Sequence, residues 1–524
     1  MSTPVLSWFT GTNDIPTDFE AQEVRSIRDD AEDTMRRNNA QIERLEEKDE
    51  DDEIIESLTR NNESLSQIIL RSRSILSPVR RIPPEVLTHI FLLSAPSLQE
   101  LKFGTWYDLL EQSPWTLGRI CRRWRAVALA SPAIWSTIII HGEYDAEPCS
   151  LPMLETQLIR SGTYPLEIFF DCERRRYDRT ADMTLEALAK HTARWKTFYI
   201  VQTQLDRMPS VRGRVPLLEK VGVWESEEGQ AGTDDGFSHP PQIAHFAIAP
   251  RLRSVEVVMC YPGFEWPWSQ LTRYESRDPW EAHITALHRL KNLESCSLII
   301  ANGDYGDDEV PPYPSDRVLQ LAKLRQLELS TERYVYGPFD WTCPSWLRLP
   351  ALTELSIPDA MLDGLPRMLQ LSRCSLTTLH ITAGCPSVAA ILPVFQSNPD
   401  ITELLITLGR SSALRQTDIG PFIALLSLTP NAPILLPKLS TLILSNVPKD
   451  HQDSVGRMIT SRWRTANPAV SRLRKLIYWI IGPRLASTLN ILQREGLSVC
   501  ARSEKGRILQ KSYGDFPSSF DRDL

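Results

Sequence analysis

Residues 352–358 read "LTELSIP", and this short phrase returns along the second half of the chain. Copies are "LRSVEVV" at 252, "LESCSLI" at 293, "LRQLELS" at 324, "LTTLHIT" at 376, "ITELLIT" at 401, "LSTLILS" at 439 and "LRKLIYW" at 473. Weaker copies stand at 217, "LLEKVGV", and at 194, "RWKTFYI". Each of the eight stronger copies puts apolar residues at its first, fourth and sixth positions, and alternation of that kind is the pattern of a half-buried strand. Intervals between copies run from about 23 to 41 residues.

A recurring L-x-x-L-x-L phrase resembles the leucine-rich repeat, in which each repeat gives one strand and its leucines share a continuous core. The expected class is therefore α/β: an irregular repeat solenoid over residues 141–505 with helices on its convex side. An ordinary α/β sheet with leucine-rich strands is the alternative. Inserts are expected to loop out at 225–241, 261–270 and 302–316. The residues between the leucines then form one row on the concave side: Glu256, Ser297, Glu328, Ser356, His380, Leu405, Ile443 and Ile477. The row starts polar and ends apolar. An exposed apolar row on a concave sheet suits protein binding, so Glu328, Ser356, His380, Leu405, Ile443 and Ile477 are the candidate target-binding residues. The other reading is that a C-terminal helix or tail covers Ile443 and Ile477. "RMITSRWRTANPAVSRLRKLIYW" at 457–479 adds a local excess of Arg and Lys, which reads as soluble surface or as an attraction for an acidic partner.

Upstream, "LSPVRRIPPEVLTHIFLL" spans residues 76–93. Pro83 and Pro84 suit a helix start, where the N–H groups they lack have no intrahelical partner anyway. Glu85 suits the positive end of the helix dipole. Val86, Leu87, Ile90, Phe91 and Ser94 give one apolar side. A second helix is expected over "WTLGRICRRWRAVALAS" at 115–131. At 100° per residue, Leu117, Ile120, Cys121, Trp124, Val127 and Ala128 share one arc, and Arg119, Arg122, Arg123 and Arg125 lie opposite as the wet side. Cys121 is expected to be a buried, inert thiol.

"IPPEVLTHIF" followed by "ICRRWRAVALASPAIW" resembles the F-box motif, particularly that of a large F-box family of mushroom-forming fungi. Ile82 and Pro83 stand at the motif's Leu-Pro, and Glu85, Leu87, Ile90 and Phe91 match it. Ile120 replaces Val, Cys121 and Trp124 match, and Ile134–Trp135 replaces Leu-Trp. The resemblance implies a small all-α F-box over 76–140. It implies docking on the Skp adaptor of a cullin-based ubiquitin ligase, with the rest of the chain holding an unknown protein target. Pro83, Leu87, Ile90, Phe91, Ile120, Cys121 and Trp124 are then the residues for adaptor contact or its immediate support. In the other reading, these helices cap the repeats of a protein-binding scaffold that works outside any ligase.

Ahead of this motif, residues 1–18 read as a flexible tail. Residues 19–75 are charged and free of Pro and Gly. Ile55, Leu58, Asn62, Leu65 and Ile69 keep heptad spacing, as Ile42 and Leu45 do, but Asp49 and Asp52 break it. Two reading frames stay open: a solvated helix lying on the next domain, or a short coiled coil through which the chain self-associates. Residues 506–524 read as a second tail.

The chain has 524 residues, 42% hydrophobic, with a formal net charge of −8. That charge argues against a nucleic-acid partner. Nine scattered cysteines without a CxxC pair fit reduced cytoplasmic or nuclear thiols. No signal peptide is visible, and no apolar run reaches the ~18 residues of a membrane helix. The sequon at Asn62–Ser64 is accordingly not expected to be glycosylated. No nucleophile elbow, phosphate loop, dinucleotide fingerprint or HExxH motif occurs. His283 and His288 are spaced poorly for one metal, and "NGDYGDDE" at 302–309 lacks the order of a calcium loop. Neither catalysis nor a cofactor or metal is expected.

Overall fold

The computed structural model describes residues 6, 9, 14–47, 52–94, 114–142, 150–172, 179–205, 207–224, 244–258, 264–301, 318–331, 346–382, 387–407, 419–430, 433–445, 447, 449–479 and 483–502. The inserts expected at 225–241 and 302–316 and the tail at 506–524 lie outside these residues. The chain divides into two units: 1–139 with 149–169, and 140–148 with 170–524.

The first unit begins with α1 (Asp18–Glu46) and α2 (Asp52–Ile75). Thr17 and Glu20 form a capping box that starts α1. A charged helix or a short self-associating coiled coil is the expectation over 19–75; two antiparallel helices form there, and they pack on each other. The expected series Ile55, Leu58, Asn62, Leu65 and Ile69 is the buried or half-buried seam of α2, and Ser72 and then Leu76, just past the helix, continue it. Its partner is α1, which offers Ala21, Val24, Arg28, Ala31, Met35, Asn38, Ile42 and Leu45 at the same alternating spacing. The two series mirror each other about a buried pair, in which Asn38 Nδ2 donates to Asn62 Oδ1 at 2.9 Å. Asn62 Nδ2 donates in turn to Asn39 Oδ1 at 2.7 Å. The heptad seam is thus filled from within the chain. Residues 1–18 are not all loose either, since Leu6 and Phe9 are buried with Val24 and Ile75.

A short 3₁₀ turn (Pro78–Arg81) leads to α3 (Pro84–Ser94), and α4 (Pro114–Ile120), α5 (Arg122–Ala130), a second 3₁₀ turn (Pro132–Trp135) and α6 (Leu151–Arg160) follow. The single helix expected over 115–131 is broken at Cys121. That residue is extended, at φ −160° and ψ 168°, and its Sγ accepts the Trp124 N–H at 3.3 Å as the N-cap of α5. The unit's core is built from Leu87, Phe91, Val127, Ala128, Ile134 and Trp135, with Ile82, Trp115, Leu117 and Trp124 packed against it.

Two strands straddle the division, β1 (Thr137–Gly142) and β2 (Leu166–Cys172). The second unit continues with α7 (Arg179–Ala189), β3 (Trp195–Val201), α8 (Gln202–Leu205), β4 (Lys220–Trp224), β5 (Ser254–Val258), β6 (Arg273–Asp278), α9 (Trp280–Arg289) and β7 (Ser295–Ile300). After these come β8 (Leu319–Gln320), β9 (Gln326–Thr331), β10 (Leu347–Arg348), β11 (Glu354–Pro358), α10 (Leu365–Ser372), β12 (Thr378–Thr382), α11 (Val388–Ser397) and β13 (Glu403–Thr407). The described part ends with α12 (Gly420–Leu426), β14 (Thr441–Ser445), α13 (Gln452–Trp463), β15 (Lys475–Trp479), α14 (Pro483–Arg494) and β16 (Ser498–Arg502).

Except for the small β8–β10 pair, all the described strands belong to one sheet in chain order. Every described pairing from β3 onward is parallel, and the phrase sets its register. From α10 to α14 each helix touches the next one in the chain. Helices placed alternately on two faces would not do so; these form one layer. The first leucine of each phrase, from Leu252 to Leu473, is almost wholly buried. A hydroxyl ladder runs beside this core, as Thr353, Thr377, Thr402 and Ser440 each donate to a carbonyl of the preceding strand's lead-in at 3.2–3.3 Å.

The stretch expected to loop out at 261–270 is partly structured. Residues 264–270 carry buried Phe264, Trp266 and Trp268 and lead into β6, a strand the phrase does not reveal. Its third core position is Ser276, not leucine. Buried His283 on α9 fills the gap: Ser276 Oγ lies 2.9 Å from His283 Nδ1, and His283 Nε2 lies 3.1 Å from the Ile299 carbonyl oxygen. Desolvation pushes the His283 pKa down to about 4, so the ring is neutral at pH 7.

Candidate functional site

Two surfaces, one in each unit, carry the residues singled out by sequence. On α3 the apolar residues fall into two adjacent stripes. Leu87 and Phe91 point into the unit's own core, each 1% exposed. Val86, Ile90 and Leu93, spaced i, i+4, i+7, are 49%, 41% and 75% exposed. Ile120 at the end of α4 and Leu129 on α5 are also exposed. Pro83 is exposed, its carbonyl accepting the Leu87 N–H at 2.9 Å to open the helix.

The seven candidate adaptor residues therefore split. Leu87 and Phe91 are core residues of the unit, while the second stripe of the same helix faces water. Trp124 is half-buried, 4.8 Å from Phe91 between ring centroids. Cys121 is half-buried and works as a cap rather than as the inert core thiol expected of it. Pro83, Ile90 and Ile120 remain available. Val86, Leu93 and Leu129 were passed over by the motif, although the helical spacing of Val86, Ile90 and Leu93 could have found the first two.

The arginine side is not uniformly wet. Arg119, Arg122 and Arg125 are exposed, but Arg123 is half-buried and donates from Nη1 to the Arg80 carbonyl and from Nη2 to the Ile82 carbonyl. Trp135 Nε1 donates to the Ala128 carbonyl at 2.7 Å. The guanidinium of Arg160 lies over the rings of Trp115 and Trp135, 4.6 and 4.5 Å from their centroids.

On the sheet, the expected row is in register: Glu256, Glu275, Ser297, Glu328, Ser356, His380, Leu405, Ile443 and Ile477 face one another strand by strand. Glu275, on the strand the phrase hides, is the one addition within the row. Tyr199 and Gly222 extend it at one end. A Cβ at Gly222 would lie 2.0 Å from the Tyr199 ring, so only glycine lets that ring lie across the sheet. Tyr199 Oη donates to Glu256 Oε2 at 3.2 Å, and Lys220 Nζ sits 3.4 Å from the same oxygen. Burial pushes the Lys220 pKa down and Glu275 opposes that shift.

The apolar end is closed. Leu405, Ile443 and Ile477 form their own buried cluster, each 8% exposed or less. Rows in adjacent strands stand only ~4.8 Å apart, so large aliphatic side chains shield one another. Ser356 and His380 are buried too, with His380 Nε2 3.8 Å from Glu403 Oε1. Of the six candidate target residues, only Glu328 is half-exposed, accepting from Ser297 Oγ at 3.1 Å. Half-exposed polar groups around it include Gln326 on its own strand and Ser297 and Glu354 on the adjacent ones.

The basic stretch at 457–479 is not simply soluble surface. Arg462 is fully buried and donates to the carbonyls of Leu426, Leu435 and Leu436, where Leu436 holds a left-handed φ of 50°. Desolvation pushes its pKa down to about 10. Arg464 pairs with Glu495.

Among the described residues no group of three or more His, Cys, Asp or Glu could hold a metal ion, and no helix is long and apolar enough to cross a membrane. No family model matches the chain, and no curated protein matches it.

Proposed function

We propose that the chain is the target-binding subunit of a cullin-type ubiquitin ligase, with an F-box in the first unit and an irregular leucine-rich-repeat solenoid in the second. The F-box docks the Skp adaptor, and the solenoid holds a target protein close to the activated ubiquitin. Its contribution is effective concentration and orientation; other subunits make the bond. One observation carries the docking reading: α3 spends Leu87 and Phe91 on its own core and still presents Val86, Ile90 and Leu93 to solvent. Burying side chains of this size is worth about 1.5–3 kcal/mol each. A few of them offset the several kcal/mol that association costs. The one-layer βα repeats in chain order support the solenoid.

The test is co-purification of the full chain with a purified Skp-type adaptor. Ile90→Asp with Ile120→Asp abolishes capture and leaves the thermal midpoint within a few degrees of the parent. Capture at the parental level by this double variant removes α3 and α4 from the interface. If the parent itself captures no adaptor, a protein-binding scaffold outside any ligase is the surviving reading.

A further inference from the structure

We infer that Arg123 and Arg80 are positioning residues of the docking surface, acting in series, and that the α1–α2 hairpin is built into the docking module. The inference rests on the docking reading above. Arg123 stands in the first turn of α5, and its two terminal nitrogens take the carbonyls of Arg80 and Ile82. Those carbonyls belong to the stretch that delivers the chain to α3. The guanidinium fork therefore fixes where α3, with Ile90 and Leu93, begins relative to α5, with Leu129.

Arg80 continues the linkage in the other direction. Arg80 is 7% exposed, and its Nε donates to the Ser74 carbonyl at 3.0 Å, in the last turn of α2. Its Nη1 donates to the Asp14 carbonyl at 3.3 Å, just ahead of α1. Arg81 lies 3.9 Å from Asp18 beside it. One strip of backbone, residues 80–82, is thus held from one side by α5 and, through Arg80, ties down both ends of the hairpin. Two carbonyls taken by two separate nitrogens of one planar fork suit arginine; a lysine carries its three N–H groups on a single nitrogen, with no fixed direction, and does not reproduce that span. Two apolar helices could meet at many angles, because burial is not directional. The arginines select one.

The experiment compares Arg123→Lys and Arg80→Lys with the exposed control Arg122→Lys, all in the full chain. Adaptor affinity is measured by calorimetry, and amide exchange is followed by mass spectrometry. Both clamp variants should bind at least tenfold more weakly. Exchange should rise in 76–87 and stay unchanged in 127–135, with the thermal midpoint held. Affinity within twofold of the parent together with unchanged exchange overturns the inference. So does exchange that rises equally over 127–135, which marks general loosening of the core. If the parent binds no adaptor, the docking reading fails, and exchange in 76–87 alone decides whether the two arginines fix this joint.

Discussion

The stripe Val86, Ile90, Leu93 on α3 and the row Leu405, Ile443, Ile477 on the sheet share a composition and meet opposite fates. Both are branched aliphatic residues at regular spacing beside a core. The helix has room for two stripes around its axis, so Leu87 and Phe91 can face inward while the first set stays in water. The sheet has no such freedom. Its strands stand close, and three large side chains in register pack as one buried cluster. An apolar row on a helix can be a docking surface; an apolar row across a tight parallel sheet is closer to a second core.

That comparison breaks first at Phe91. Phe91→Ala should cost about 3–5 kcal/mol, read by urea unfolding of the full chain, because the ring fills the core with Leu87 and Trp124. A cost under ~1 kcal/mol would put Phe91 on the surface with Ile90. The matched test on the sheet is Ile443→Ala, expected to cost about 2–4 kcal/mol, whereas Ile90→Ala changes stability by less than ~0.5 kcal/mol. Equal effects at Ile443 and Ile90 would erase the distinction between the two surfaces.

The sequence made parts of both regions readable, for physical reasons. Strand register followed from the phrase, because a one-residue slip would turn every leucine to the wrong face. Exposure did not follow, because spacing says which residues share a face and nothing about how tightly neighbouring strands close over it. β6 was hidden because Ser276 and His283 together do the work of one leucine, and their separation in sequence conceals the exchange. The hairpin was half-legible: α2 showed its heptads, but the α1 seam is interrupted by Arg28 and Asn38, so its apolar spacing breaks where α2 keeps it. On α5 a helical wheel could not separate Arg123 from Arg122, since a guanidinium bound to carbonyls and one bound to water occupy the same charged arc.

The hidden strand offers a test by pH. The native state keeps His283 neutral down to about pH 4, while an unfolded histidine titrates near ~6.5. Between those values the unfolded chain binds more protons, so stability is fully present above the unfolded pKa and falls as pH drops through the window. The total is on the order of 3 kcal/mol. Urea midpoints at pH 7 and pH 4.5 should show this loss, and His283→Gln should flatten it by removing the titrating group. An equal loss in the variant assigns the pH dependence to other groups.

The smallest effect concerns the Asn38–Asn62 pair at the centre of the hairpin seam. Asn62→Ala leaves the amides of Asn38 and Asn39 without the partner they now share, at a cost of about 1–3 kcal/mol. Replacing both Asn38 and Asn62 by Leu removes the polar groups together and should restore or raise stability, since matched apolar residues suit a seam. A polar pair inside a coiled coil fixes register and partner choice at the expense of stability. The double leucine variant should therefore form more chain dimer than the parent, seen as a larger fast-moving boundary in sedimentation velocity at micromolar concentration. A parent that already sediments as a dimer, and loses that dimer when residues 19–75 are deleted, would mean that the seam is shared between chains rather than closed within one.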